Sequence, residues 1–216
     1  AQLTPQGVGS VLHGLQKLSS DNSAVKSLLL ALLKKVKASN DPLDPYSISC
    51  GMYGMSNLSS DDAEVRALLH VLVPKVDECK DVFNSQEIAN ALYGLQKMSS
   101  TRLEVRRMIS ALRKKLETCP YPFTNQELAC AFCSLQRMSS AQKEVRSLLT
   151  ALTRKLSDRK CELDSLSLSL MVFSLQGMNS SVVEVQNLLS HITSALRECT
   201  SRFHSNQLSS ILFGIQ

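Results

Sequence analysis

The chain has 216 residues, 44% of them hydrophobic and 20% charged, with 8 Gly, 6 Pro and no Trp, which excludes a disordered or collagen-like polypeptide. Its net charge of +5, from 24 Lys and Arg against 19 Asp and Glu, is mild for a nucleic-acid binder, and its longest apolar run, "SLLLALL", is too short to span a bilayer. Seven Cys, an odd number in a chain this long, argue against a small disulfide-stapled scaffold and favour a reducing compartment.

The first predicted helix follows Thr4 and Pro5 and carries Val8, Leu12 and Leu15. Spacing of i, i+4, i+7 places these three on one helix face, and Thr followed by Pro is a helix start. The Ser19–Ser20 pair separates it from a second helix with its own stripe of Val25, Leu28 and Leu32. Forty residues on, Asp44 and Pro45 lead Ile48, Met52 and Met55, and Val65, Leu68 and Leu72 follow. The third copy opens with "FNSQEIANALYGLQKMSS" from Phe83, the fourth with "FTNQELACAFCSLQRMSS" from Phe123. In the fifth, Asp164 leads Leu168, Val172 and Leu175; "FHSNQLSSILFGIQ" from Phe203 starts a sixth, with Leu208, Leu212 and Ile215. Glu87 and Glu127 stand at capping-box distance from Asn84 and Thr124. The same spacing in Asp61 with Glu64, Thr101 with Glu104 and Ser181 with Glu184 predicts capping boxes at the starts of the second helices.

One helix pair cannot bury both stripes, whereas stacked pairs share a continuous core. The expected fold class is all-α: an α-solenoid of helix-turn-helix repeats with a 40-residue period, five full repeats plus a sixth first helix. The repeats run over about 1–40, 41–80, 81–120, 121–160 and 161–200, with 201–216 partial, in a single array over 1–216 that reads as a piece of a longer one. Its last apolar edge is expected to be open, to be covered by protein partners or by further repeats.

"FNSQEIANALYGLQKM" resembles the core of the octotricopeptide repeat and related motifs of RAP-type proteins, approximately F-x-x-Q-x-L-A-N-x-L-W-A-x-A-K-L. Phe83, Gln86, Ala89, Asn90, Leu92 and Lys97 match directly, and Ile88 and Met98 conservatively. Tyr93 stands where the family has Trp, and Gly94 and Gln96 where it has Ala; copies 1, 2 and 5 match weakly. The resemblance implies a helical-repeat fold and an organellar RNA binder, in a mitochondrial matrix or plastid stroma, acting in transcript processing, stability or translation. Some helical-repeat relatives are ribosome components.

The candidate binding surface is the stripe opposite the apolar face of each first helix, at i, i+4, i+7 and i+11. It reads Gln6, Ser10, His13, Lys17, then Tyr46, Cys50, Tyr53, Asn57, then Gln86, Asn90, Tyr93, Lys97. The fourth copy has Gln126, Cys130, Cys133, Arg137 and the fifth Leu166, Leu170, Phe173, Gly177. The stripe changes between copies while the core columns hold, as a modular single-stranded RNA reader requires: an aromatic to stack a base, amides for its edge, a cation for phosphate. The competing reading is that the Tyr93 column fills the seam between repeats. The fifth copy, apolar throughout, suits protein contact better than RNA.

Lys35, Lys75, Lys115 and Lys155 form a column near the end of the second helix, as phosphate contacts or as solvated caps suited to the helix dipole. The column of Gln16, Gln96, Gln136, Gln176 and Gln216 reads as a side-chain ladder between neighbouring first helices. Lys26, Arg66, Arg106 and Arg146 suggest a phosphate track, but the column falls on the opposite flank of the second helix from Glu64, Glu104, Glu144 and Glu184, so inter-repeat ion pairs are expected. "CAFC" lies inside a predicted helix without a second pair at zinc-site distance, so neither metal nor any other cofactor is assigned. His13, His70, His191 and His204 fall in different columns, and no phosphate loop or catalytic triad order is present, so no enzyme activity is expected. The expected function is single-stranded RNA binding in organellar RNA metabolism or translation, without membrane insertion. The alternative is an architectural, protein-binding subunit of a large assembly such as a mitochondrial ribosome.

Overall fold

The computed structural model describes residues 3–39, 41–159 and 162–214. Among these the chain forms eleven α-helices and no strand. In order they are α1 (Pro5–His13), α2 (Ser23–Ala38), α3 (Pro45–Gly54), α4 (Ala63–Glu78), α5 (Ser85–Tyr93), α6 (Leu103–Thr118), α7 (Asn125–Cys133), α8 (Lys143–Ser157), α9 (Ser165–Phe173), α10 (Val183–Glu198) and α11 (Ser205–Gly214). Each odd-numbered helix packs on the next odd-numbered one, each even-numbered helix on the next even-numbered one, and the two layers meet where α5 touches α6, α7 touches α8 and α9 touches α10. The arrangement is helical and solenoid-like. Its core holds most of the predicted stripes, with Leu12, Met52, Leu92, Phe132 and Val172 from the first helices and Val65, Val105, Leu112, Leu152 and Leu188 from the second all buried; in α2, which has a neighbouring second helix on one side only, Leu28 is exposed and Leu29 is buried instead.

Local chemistry fixes the odd-numbered helices. The side chains of Thr4, Asp44, Asn84, Thr124 and Asp164 accept hydrogen bonds from the backbone N–H groups of Gly7, Ser47, Glu87, Glu127 and Ser167 in turn. Both halves of the capping box form at Asn84 with Glu87 and at Thr124 with Glu127. The even-numbered helices depart from expectation. Asn22 caps α2 by accepting from the Ala24 N–H, but the N-caps of the other four are Asp62, Arg102, Gln142 and Val182, which for α4, α6 and α10 is one residue later than the spacing predicts, and none of these four side chains caps. The turn is tied down instead by the arginines, since Arg66, Arg106 and Arg146 donate to the carbonyls of Ser60 and Asp61, of Ser100 and Thr101, and of Ser140 and Ala141.

The first helices are also shorter than their stripe. Leu15, Met55, Leu95, Leu135 and Leu175 lie beyond the helix ends but remain buried. Tighter i to i+3 bonds, such as Leu95 N–H to Leu92 O at 2.8 Å and Met98 N–H to Leu95 O at 2.8 Å, continue the turn and keep the column pointing inward. Ile215 and Gln216 of the predicted columns fall outside the described residues.

Three ladders join successive helix pairs. The hydroxyls of Ser20, Ser60, Ser100 and Ser140 accept the backbone N–H of Ser59, Ser99, Ser139 and Asn179 at 2.8–3.0 Å. Lys75, Lys115 and Lys155 donate to the carbonyls of Ser39, Cys79 and Cys119, the residues that end α2, α4 and α6. The ion pairs Lys26–Asp62 (2.5 Å), Arg106–Glu144 (3.9 Å) and Arg146–Glu184 (3.6 Å) link adjacent second helices. The expected Glu–Arg pairing is therefore present at the latter two positions, whereas Glu104 makes no such pair among the described residues. Because Arg106 and Glu144 are 22% and 18% exposed, a double-mutant cycle with alanine at both should give a coupling of about 0.5–1 kcal/mol in urea unfolding. Strict additivity would remove the pair from the list of inter-helix ties.

Candidate functional site

The candidate stripe lies along the outer side of α1, α3, α5, α7 and α9. Gln6, Tyr46, Gln86, Gln126 and Leu166 are exposed near the helix starts, and Asn90, Cys130 and Leu170 are half-buried one turn on. Gln86, Asn90 and Gln126 make no side-chain hydrogen bond with other described residues, and Gln6 reaches Asp44 at 3.4 Å. These amides are held by helices whose caps fix where they start, and their polar ends face outward.

The ring column is occupied by its own neighbours. His13 stacks on Tyr53 at 5.8 Å between centroids and Tyr53 on Tyr93 at 5.4 Å, with interplanar angles of 24° and 21°. Phe173 stacks on Phe213 at 5.8 Å. Tyr53 thus has a ring on each face, and His13 and Tyr93 have one each, so base stacking on those faces would have to displace a ring already there. Burial raises the Tyr93 hydroxyl above its ordinary pKa. Cys133 holds this column in the fourth copy; burial pushes its thiol up to about 11, so at neutral pH it is an uncharged, space-filling group. No three His, Cys, Asp or Glu side chains among the described residues converge as metal ligands.

Lys17, Asn57, Lys97 and Arg137 do not lie on the first helices, as an i+11 extension of the stripe requires. The helices end at His13, Gly54, Tyr93 and Cys133, and the four residues sit in the turns that follow. Close packing accompanies two of these ends: a Cβ on Gly54 would run into the Leu12 carbonyl oxygen and one on Gly94 into that of Met52, so the backbones touch there. Lys17 and Lys97 are exposed and form no ion pair with a described residue. Asn57 donates to the Gln16 carbonyl at 2.6 Å, and Arg137 donates to the Lys97 carbonyl at 3.2 Å and lies 3.6 Å from Asp61. Arg102 also pairs with Asp61, at 3.2 Å, and its hydrogen bond holds that carboxyl below the usual carboxylate range. The expected glutamine ladder shrinks to one rung among the described residues, Gln96 to the Ser56 carbonyl at 3.3 Å: Asn57 takes the equivalent Gln16 carbonyl, Arg137 reaches across to the Lys97 carbonyl, and Gln176 bonds within its own turn.

Lys115 and Lys155 stand apart from the stripe, in α6 and α8. Besides capping the Cys79 and Cys119 carbonyls, their ammonium groups lie 5.9 and 5.8 Å from the ring centroids of Phe83 and Phe123. Both lysines are thus half-buried and engaged within the chain. Lys115→Ala should destabilise the protein by about 1–2 kcal/mol, through the orphaned carbonyl and the lost cation–π contact, and leave any RNA affinity unchanged. Thermal unfolding alongside an RNA titration checks both halves of this expectation.

Sequence reasoning missed the second serine of each pair. Ser20, Ser60, Ser100 and Ser140 are buried acceptors, not turn filler. Their recurrence at one position in every copy was the available signal. Apolar side chains are exposed at both ends of the array: Val11, Leu28 and Leu30 in α1 and α2, and Leu166, Leu208, Leu212 and Phe213 in α9 and α11. No described helix is long and apolar enough to cross a membrane. Compared with family models, curated proteins and solved structures, the chain matches none.

Proposed function

We propose that the chain is an α-solenoid of 40-residue helix-turn-helix repeats, five full and a sixth first helix, that binds single-stranded RNA and performs no chemistry on it. The observation that carries this reading is a set of first-helix amides, exposed Gln86 and Gln126 and half-buried Asn90, that bond to no other described residue, together with Lys17 and Lys97, exposed in the turns after α1 and α5 and paired with no described residue. Such amides can read base edges, and the turn cations can follow a phosphate backbone. Because the rings stack on one another, hydrogen bonding and charge carry the contact, with little from base stacking. The octotricopeptide-like core around Phe83 adds an organellar matrix or stroma, a reducing compartment, as the place of action.

The decisive variant is Lys17→Ala with Lys97→Ala, since neither side chain ties the fold together. RNA affinity should weaken and the slope of log affinity against log salt should fall by roughly one to two units. An unchanged affinity and slope would move the reading to a protein scaffold. That second reading has its own support in Leu166, Leu170 and Phe173, which make the fifth copy of the stripe apolar.

A further inference from the structure

The turns after α5 and α7, residues 94–102 and 134–142, carry Lys97, Arg102 and Arg137 and no acidic residue. The carboxylate that answers the two arginines comes from the turn before them: Asp61 lies 3.2 Å from Arg102 and 3.6 Å from Arg137. Among the described residues every other ion-paired carboxylate meets a single cation, as Asp62 meets Lys26, Glu144 meets Arg106 and Asp77 meets Lys114, whereas Asp61 holds two. Ser59 keeps this carboxylate in place, donating its hydroxyl to Oδ2 at 3.3 Å and accepting the Asp61 N–H at 3.2 Å. Arg137 also donates to the Lys97 carbonyl, which holds its guanidinium against the turn after α5. The side chains of Asp61, Arg102 and Arg137 are 54%, 44% and 49% exposed, so the cluster opens to solvent. Two guanidiniums against one carboxylate leave it positive, and Lys97 is exposed in the same turn as Arg102.

We propose that Arg102 and Arg137 form a binding site for one phosphate group of a single-stranded RNA backbone, and that Asp61 fills this site until the phosphate displaces it. A carboxylate and a phosphate offer the same kind of oxygen acceptors to a guanidinium fork. Two forks that already converge on one anion take another in its place without rebuilding the turns. Ion pairs this exposed hold weakly in water, so Asp61 competes with the incoming phosphate and does not lock it out. The inference rests on the RNA-binding reading and adds a backbone contact to Lys17 and Lys97, together with an internal carboxylate that lowers its affinity. The side chains involved can be changed without dismantling the turn. Arg66 bonds the backbone carbonyl of Asp61 and not its carboxylate, and the Arg102 side chain makes no cap for α6.

The test compares Asp61→Asn, Arg102→Gln/Arg137→Gln and the three changes together in the whole 216-residue chain, each titrated with a single-stranded oligouridylate and, separately, with inorganic pyrophosphate. Asp61→Asn should bind the RNA at least about threefold more tightly. Arg102→Gln/Arg137→Gln should bind it more weakly, with a log-log salt slope shallower by roughly 0.7, the value of one phosphate contact on a single strand, and adding Asp61→Asn to it should restore nothing. Asp77→Asn removes the same charge from the Lys114 pair on the second helices and should leave RNA affinity within about twofold of the parent. Equal tightening in Asp61→Asn and Asp77→Asn is an effect of net charge and overturns the proposal. So does RNA binding that ignores Asp61→Asn, or tightening that persists without the two arginines; the RNA reading then stands while the phosphate site falls. Pyrophosphate binding that Asp61→Asn strengthens and Arg102→Gln/Arg137→Gln abolishes, in a chain that binds no RNA, gives the site to a free phosphate and overturns the RNA reading. Binding of neither probe overturns both.

Discussion

Leu112→Asp unfolds more than the helix pair that carries it. Leu112 is fully buried on α6, which packs on α4, α5 and α8, so the new carboxylate is desolvated among apolar side chains with no partner. A buried unpaired charge is among the most destabilising single changes, and a loss of more than about 4 kcal/mol is expected. Because the core runs between layers without a break, the loss should spread: hydrogen exchange should show lost protection in α4 and α8 as well as in α6. Exchange confined to α5 and α6, with α4 and α8 as protected as before, would contradict a shared core and leave a string of independent pairs.

Gly94→Ala is the second large effect, and its sign opposes helix propensity. Alanine in place of glycine near a helix end ordinarily stabilises by roughly 0.5–1 kcal/mol. Here the added methyl would strike the carbonyl oxygen and carbon of Met52 on the preceding first helix, backbone atoms that cannot swing aside. A destabilisation of about 3 kcal/mol is expected, as α5 is pushed off α3. Gly94→Ala that melts at or above the parent temperature would show that the two helices can separate at no cost. The position also accounts for a departure from the octotricopeptide-like pattern, which has Ala where this chain has Gly94. At the equivalent place between later helices the chain carries Ser134 and Ser174, both buried, so close approach is a property of particular helix pairs.

The helix starts were legible because capping is local. Thr4, Asp44, Asn84, Thr124 and Asp164 each bond an N–H three residues ahead, and such a contact is visible as a short string of letters. The same letters misled at the second helices, where Asp61 and Thr101 have the right spacing but sit one position before the cap. Nothing in the string shows that Arg66 or Arg106 reaches back from the helix to hold the same turn. The candidate stripe was legible only over the helical residues. Its last member fell into a turn because the helices end at His13, Gly54, Tyr93 and Cys133, before the stripe does.

By itself, the sequence determined that the protein is all-helical, where its odd-numbered helices begin and which columns are buried, because hydrophobic spacing and caps act over one or two turns. Tertiary structure alone decided what the polar and aromatic columns do. Lys115 and Lys155 cap carbonyls of the preceding second helix, the second serines accept N–H groups from the following turn, and His13, Tyr53 and Tyr93 stack on one another. Each of these is a contact between residues about forty positions apart, whose geometry depends on how closely two backbones approach. That distance is set by packing across the whole interface, and no local pattern of letters records it.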